Sequence, residues 1–178
     1  MYYQEVYDSP VGKMIMVSDG EHLNGLWIEG QSGFTDAVKE GMQPKEELSI
    51  FIMTKEWLDR YFAGDKPKIS ELPLQLSGTE FRKEVWKLLC EIPYGETTTY
   101  GEIAKKMAQK LNKAKMSAQA VGNAVGHNPV SIIVPCHRVI GSDGGMTGYG
   151  GGIAKKVWLL NHEGVSVEEK RCAGMKRR

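Results

Sequence analysis

The chain has 178 residues, 41% of them hydrophobic and 25% charged, with a formal net charge of +1, which is the composition of a soluble folded protein with one good core or two small ones. No uninterrupted apolar stretch approaches the roughly 18 residues that cross a bilayer, and Met1-Tyr2-Tyr3-Gln4-Glu5 does not open a signal peptide, so a cytoplasmic protein with no membrane partner is expected. Charge is unevenly divided: residues 1–76 hold thirteen acidic and seven basic side chains, residues 77–178 nine and sixteen, so the second half is the one to face a polyanion.

Taken in order, the first strand-like stretches are Met14-Ile15-Met16-Val17 and Leu23 to Ile28, with the turn formers Ser18-Asp19-Gly20 between them. They predict a small antiparallel sheet. A helical pattern from about Glu46 to Phe62 puts Leu48, Ile52, Trp57, Leu58 and Tyr61 on its apolar side, with Gly64 as a stop. Lys66-Pro67 to Leu72-Pro73 reads as a linker, which divides the chain into a domain over 1–76, a second over 77–166 and a basic tail over 167–178.

In the second domain Phe81, Val85, Trp86, Leu88 and Leu89 recur at helical spacing until Pro93-Tyr94-Gly95 breaks the pattern. Thr99, with Glu102 three residues on, predicts a capping box that opens a helix with Ile103, Met107 and Leu111 as its buried stripe. Ser117 caps a second short helix whose apolar residues are Ala118, Val121 and Val125, and the pair suggests a helix-turn-helix. Small residues at Ala118, Ala120, Gly122, Ala124 and Gly126 leave this helix nearly smooth, with Gln119 and Asn123 as its main polar reach. Such a surface suits the sugar-phosphate wall and a shallow groove better than the reading of base edges. Tight helix packing is the other use of the same residues. No carboxylate lies between Ile103 and Ser142, while Lys105, Lys106, Lys110, Lys113, Lys115 and Arg138 do, so this window is expected to project a positive field. A lysine run is equally a solvated helix face.

After the apolar run Ser131-Ile132-Ile133-Val134, read as a strand, Pro135-Cys136-His137-Arg138-Val139 places a thiol beside an imidazole. A free cysteine is by default a small buried hydrophobe. Only the thiolate is a strong nucleophile, however, and a neighbouring base is what a reactive cysteine needs. Adjacent side chains of an extended segment point apart, so Cys136 and His137 require a local turn or a bridging water. Glu163, closing a helix that ends Trp158-Leu159-Leu160, is the candidate to orient the imidazole, which makes Cys136, His137 and Glu163 a nucleophilic triad. Cys90, Cys136 and Cys172 form no CxxC pair, so neither a disulfide framework nor a metal is expected.

Asn128-Pro129-Val130 through Ile140-Gly141, then Gly148-Tyr149-Gly150-Gly151-Gly152 and Trp158 to Gly164, resemble the methylated-DNA–protein-cysteine methyltransferases, the O6-alkylguanine-DNA alkyltransferases. The likeness is strong over about 77–166 and looser from Asp8-Ser9-Pro10-Val11-Gly12 to Leu26-Trp27-Ile28-Glu29-Gly30. It implies an α+β fold: a small antiparallel-sheet, ribonuclease H-like amino-terminal domain and a mostly helical carboxy-terminal domain with a winged helix-turn-helix. It implies Cys136 as the acceptor of the alkyl group, His137 as a base acting through water, Glu163 as its orienter, Asn128 as a brace under the cysteine turn and Tyr100 as the group assisting the departing guanine. The Val139 backbone, Ser142 and Tyr149 would line the flipped base. Lys115, Ala118, Gln119, Gly122 and Asn123 would meet DNA through the minor groove, Gln119 standing where many relatives carry an arginine. The implied partner is duplex DNA containing O6-alkylguanine, with O4-methylthymine left open as a second substrate. The resemblance implies a monomer that acts once and needs no cofactor. Three other readings of the same residues are a non-catalytic lesion sensor, a helix-turn-helix regulator and a cysteine hydrolase.

Overall fold

Met14-Ile15-Met16-Val17-Ser18 are all buried, which a strand with one wet face cannot achieve, so this segment must lie inside its sheet with both faces covered. It does. The computed structural model describes residues 2–39, 43–44, 47–141, 145 and 152–167, and its first sheet has the order β3-β2-β1-β4. Strand β1 (Tyr3–Ser9) pairs antiparallel with β2 (Gly12–Ser18) from Tyr3 opposite Ser18 to Ser9 opposite Gly12. Strand β3 (Leu23–Ile28) lies antiparallel on the other side of β2, with an irregularity at Val17/Ser18, and β4 (Gln43–Pro44) runs parallel to β1. Ile15 and Val17 pack with Trp27 and with Phe34 of α1 (Ser32–Lys39); Met14 and Met16 point to the other face. The Trp27 ring occupies the space that a Cβ on Gly25 or Gly33 would need.

Helix α2 (Ser49–Phe62) packs against β2 and β3 and buries Ile50, Phe51, Thr54, Trp57, Leu58 and Tyr61. Ile52, expected on the apolar side, is exposed: it lies about 200° round the helix from Ile50. Gly64 ends the helix at φ 98°. The segment read as a linker is docked beside β3, with Leu72 buried, Leu23 N donating to Pro73 O at 2.8 Å and Gln75 N to Leu23 O at 3.1 Å.

The chain divides into two compact units, residues up to Ser77 with Pro129–Ile133 forming the first, Gly78–Asn128 with the chain from Val134 the second. Pro129–Ile133 joins the sheet at Leu26, with Leu26 N donating to Pro129 O and Ser131 N to Leu26 O. The expected strand then fails at Ile132, whose φ of 71° and the Ile133 N to Ser131 O bond at 2.8 Å make a three-residue turn of the strained hand. For a β-branched residue that conformation costs on the order of 1–3 kcal/mol, offset by its complete burial.

The second unit holds α3 (Glu80–Cys90), β5 (Thr98–Thr99), α4 (Tyr100–Lys110), α5 (Ala118–Gly126), β6 (Val139–Ile140) and α6 (Ile153–His162), with β5 and β6 parallel. Caps form at Thr79, Thr99 and Ser117, whose hydroxyls accept from Arg82 N, Glu102 N, and both Gln119 N and Ala120 N. The box expected at Thr99 is shared, because the Glu102 carboxylate accepts from the Thr98 hydroxyl at 2.9 Å. Leu111 is exposed at the helix end, and the buried stripe of α4 is Ile103, Ala104, Met107 and Ala108. Asn112 turns the chain at φ 55°, with Lys113 N donating to Ala108 O, so α5 follows α4 closely. Trp86 of α3 donates from Nε1 to Ala124 O at 2.9 Å and fixes α5 from behind. Among the described residues no helix is long and apolar enough to cross a membrane.

Candidate active site

Proline sets the cysteine turn. Pro135 at φ −82°, ψ 64° lets Cys136 N donate to Val134 O at 2.8 Å, and the chain continues into a single 3-10 turn, Cys136–Arg138, before β6. This turn supplies the bend that a thiol and an imidazole at adjacent positions need. Asn128 braces it: Nδ2 donates to Val134 O at 2.9 Å, and the same amide hydrogen-bonds the Cys136 sulfur. His137 is fully buried, with Nε2 2.5 Å from Glu163 Oε2 and Nδ1 without a protein partner.

Glu163 caps α6 and is gripped from three directions. Arg138 donates from Nε to Oε1 at 2.8 Å and from Nη2 to Oε2 at 3.2 Å, and Gly95 N donates to Oε1 at 3.1 Å. The remaining arm of Arg138 reaches Ile92 O at 2.7 Å. Burial opposes ionisation of Glu163, but hydrogen bonds and charge from His137 and Arg138 override it and hold the carboxyl well below its usual range. Arg138 supplies that charge even while the imidazole is neutral. Burial holds His137 below its ordinary value against the pull of Glu163, which favours the neutral imidazole, a form able to accept a proton. Burial pushes the Cys136 thiol up, while Asn128, Lys156 and the amides of Cys136 and His137 pull it back. The net shift is upward and favours the thiol, a form that needs a base before it can act as a nucleophile.

Tyr100, the first residue of α4, is pushed up to about 12 by burial and then by Cys136, so its hydroxyl keeps its proton. On α5, Val121, Ala124 and Val125 face inward, and Ala118, Gln119 and Asn123 are exposed. Gly122 is half-buried, and a Cβ placed there would lie at ordinary contact distance, 3.7 Å, from the Tyr100 ring. Lys115 is exposed just before the cap. Ser142 and Tyr149 lie outside the described residues, as does the tail from 168 on. The positive window is smaller than its sequence suggests: Arg138 is buried against Glu163, and Lys110 pairs with Glu84 of α3 at 2.7 Å.

Residues 80–165 match the DNA binding domain of 6-O-methylguanine DNA methyltransferase, and residues 1–76 match its ribonuclease-like domain. The chain belongs to the 6-O-methylguanine DNA methyltransferase family. A Haemophilus influenzae methylated-DNA–protein-cysteine methyltransferase is 39% identical over 176 residues, covering 99% of this chain and 94% of the relative. A namesake from Methanosarcina acetivorans is 42% identical over 165 residues, covering 92% of this chain and 99% of its own. Among solved structures, Mycobacterium tuberculosis OGT in complex with DNA superposes with a TM-score of 0.78 at 39% identity, over 97% of this chain and 98% of that one.

Against this family background, the sequence reading missed two buried cations. Arg138 falls in the window expected to project a positive field, although its place directly after His137 puts it in the motif. Lys156 falls at helical spacing with Ile153, Val157 and Leu160 on the buried face of α6, and a lysine in an apolar stripe was the available signal.

Proposed function

We propose that the protein repairs duplex DNA by direct reversal, taking the alkyl group of O6-methylguanine onto the Cys136 sulfur once per molecule. The buried chain from Cys136 through His137 to Glu163 carries this reading. His137 takes the Sγ proton at Nδ1 through a water. The sulfur electron pair forms the S–C bond as the C–O6 bond breaks, and the departing pair goes to guanine. Tyr100 gives its hydroxyl proton to a ring nitrogen and is reprotonated from His137, so the thiol proton ends on guanine. Glu163 orients the imidazole, and Asn128 holds the turn that presents the sulfur.

The target oxygen lies within a stacked duplex, so the nucleotide must be flipped at a cost of a few kcal/mol. The exposed face of α5, with Ala118, Gln119 and Asn123, enters the minor groove beside Gly122, Gln119 fills the gap left by the base, and Lys115 meets phosphate. The Val139 backbone, Ser142 and Tyr149 line the flipped base. In this reading residues 1–76 are a structural domain, 77–166 carry DNA binding and transfer, and 167–178 form a basic tail. The protein works as a monomer in the cytoplasm without a cofactor. The product is a thioether, which has no ready leaving group. With excess lesion duplex, restored guanine should level off at one per protein molecule. Repeated turnover would favour the hydrolase-like reading of the same triad.

A further inference from the structure

Three residues of one turn converge on the buried Arg138–Glu163 pair. Helix α3 is capped at Glu91, and Ile92-Pro93-Tyr94-Gly95 leads away from it through a turn in which Glu96 N donates to Pro93 O at 3.1 Å. Gly95 takes the third position of that turn at φ 80°, a conformation that favours glycine. A Cβ there would come within 3.1 Å of Glu163 O, so the turn packs directly on the end of α6. Ile92 O accepts from one arm of Arg138 at 2.7 Å, and Gly95 N donates to Glu163 Oε1 at 3.1 Å. Between these two bonds the guanidinium carbon of Arg138 lies over the Tyr94 ring, 5.7 Å from its centre. The Tyr94 hydroxyl is 3.5 Å from the carbonyl of His162, the residue before Glu163.

The two oxygens of the Glu163 carboxylate have different partners. Oε1 accepts from Gly95 N and Arg138 Nε, whereas Oε2 accepts from Arg138 Nη2 and meets His137 Nε2. Oε1 is thus the anchor, and its two donors set the rotation of the carboxylate that aims Oε2 at the imidazole. The guanidinium can set that rotation only while its own plane is fixed. Ile92 O holds one end of the plane, and the electron-rich face of Tyr94 gives it a surface that an aliphatic side chain cannot supply. We propose that the turn Ile92–Gly95 is the positioning element of the base, and that Tyr94 is its positioning residue, acting on His137 through Arg138 and Glu163. The proposal rests on the reading of His137 as the group that takes the Sγ proton. Loosening Arg138 frees the carboxylate to rotate and the imidazole to swing with it, so the Nδ1 that receives the proton leaves its line.

The test uses the full chain with Tyr94→Leu and Tyr94→Met, which remove the aromatic face, and Tyr94→Phe, which keeps it without the hydroxyl. A melting curve confirms the folding of each, and either aliphatic variant serves if the other does not fold. Two quantities are read. One is the rate of single-turnover methyl transfer at saturating lesion duplex; the other, in the free protein, is the downfield proton resonance of the His137–Glu163 hydrogen bond. The aliphatic variants should slow transfer about tenfold and shift or broaden the His137 resonance, while Tyr94→Phe restores both. Folded aliphatic variants with the wild-type rate and resonance would overturn the proposal. Slow transfer with an unmoved resonance would do the same, since the effect would then lie outside the base. So would a Tyr94→Phe variant as impaired as Tyr94→Leu, because the ring face would be irrelevant. The resonance is read without DNA, so its displacement in the variants of a protein that transfers no methyl group would leave Tyr94 positioning His137 and count against the repair reading alone.

Discussion

Glu163 accepts from His137, from two nitrogens of Arg138 and from the Gly95 amide, and these bonds fix both the orientation of its carboxylate and its ionisation. Glu163→Gln therefore leaves a buried guanidinium without its anion. A loss of about 3–5 kcal/mol is expected in urea denaturation, with methyl transfer slowed about 10²-fold as His137 loses its orienter. Tyr100→Phe should slow transfer by a similar factor of about 10² while leaving affinity for a lesion duplex unchanged, because it removes only the proton for the leaving base. The cysteine turn was legible because thiol, imidazole and turn-forming proline are contiguous, and the partnership of His137 with Glu163 because Glu163 closes a recognisable helix. Arg138 was not, since a charge count treats every arginine as solvent-facing. Ile132 was not either: an apolar run ordinarily signals a strand, and nothing in its composition announces a positive φ.

Helix α5 is held by its Ser117 cap and the Trp86 indole as well as by its buried Val121, Ala124 and Val125. Ser117→Ala leaves two amides without their acceptor and should cost about 1 kcal/mol in thermal unfolding, with a matching loss of duplex affinity. Lys115→Ala should weaken binding evenly across sequences and reduce the slope of log affinity against log salt by about 1. An unchanged slope would place Lys115 off the DNA. The helix pair was readable from caps and spacing, because those signals are local. Strand β1 was not identified, since every second residue of Tyr3–Ser9 is only half-buried and its alternation is weak. The half-formed capping box at Thr99 depends on Thr98, a neighbour that the motif does not include.

At the scale of the molecule, the buried titratable groups bracket the pH range of stability. The folded-state values of Glu163 and His137 lie below their ordinary values of 4.5 and 6.5, so below those values the unfolded chain takes up protons that the fold refuses. Their contribution is present above those values and lost as pH falls. Cys136 and Tyr100 carry the opposite sign: raised from 9.0 and 10.0, they contribute below those values and lose that contribution as pH rises. The urea midpoint should be flat between pH 6.5 and 9.0 and fall on both sides. Charge and composition change near residue 77, where the leading segment of the first compact unit ends. The return of Pro129–Ile133 to the first unit was not legible, because it depends on long-range contacts to Leu26 and Gln31 that no local pattern announces. The central claim, one alkyl group moved once onto Cys136, is tested most directly by the peptide masses of the protein after incubation with a duplex carrying a single O6-methylguanine. The account predicts one methyl in place of a proton on the Cys136 peptide, none on the peptides of Cys90 or Cys172, and none in Cys136→Ala. An unmodified protein that still binds the lesion, or a methyl found on another residue, would contradict it.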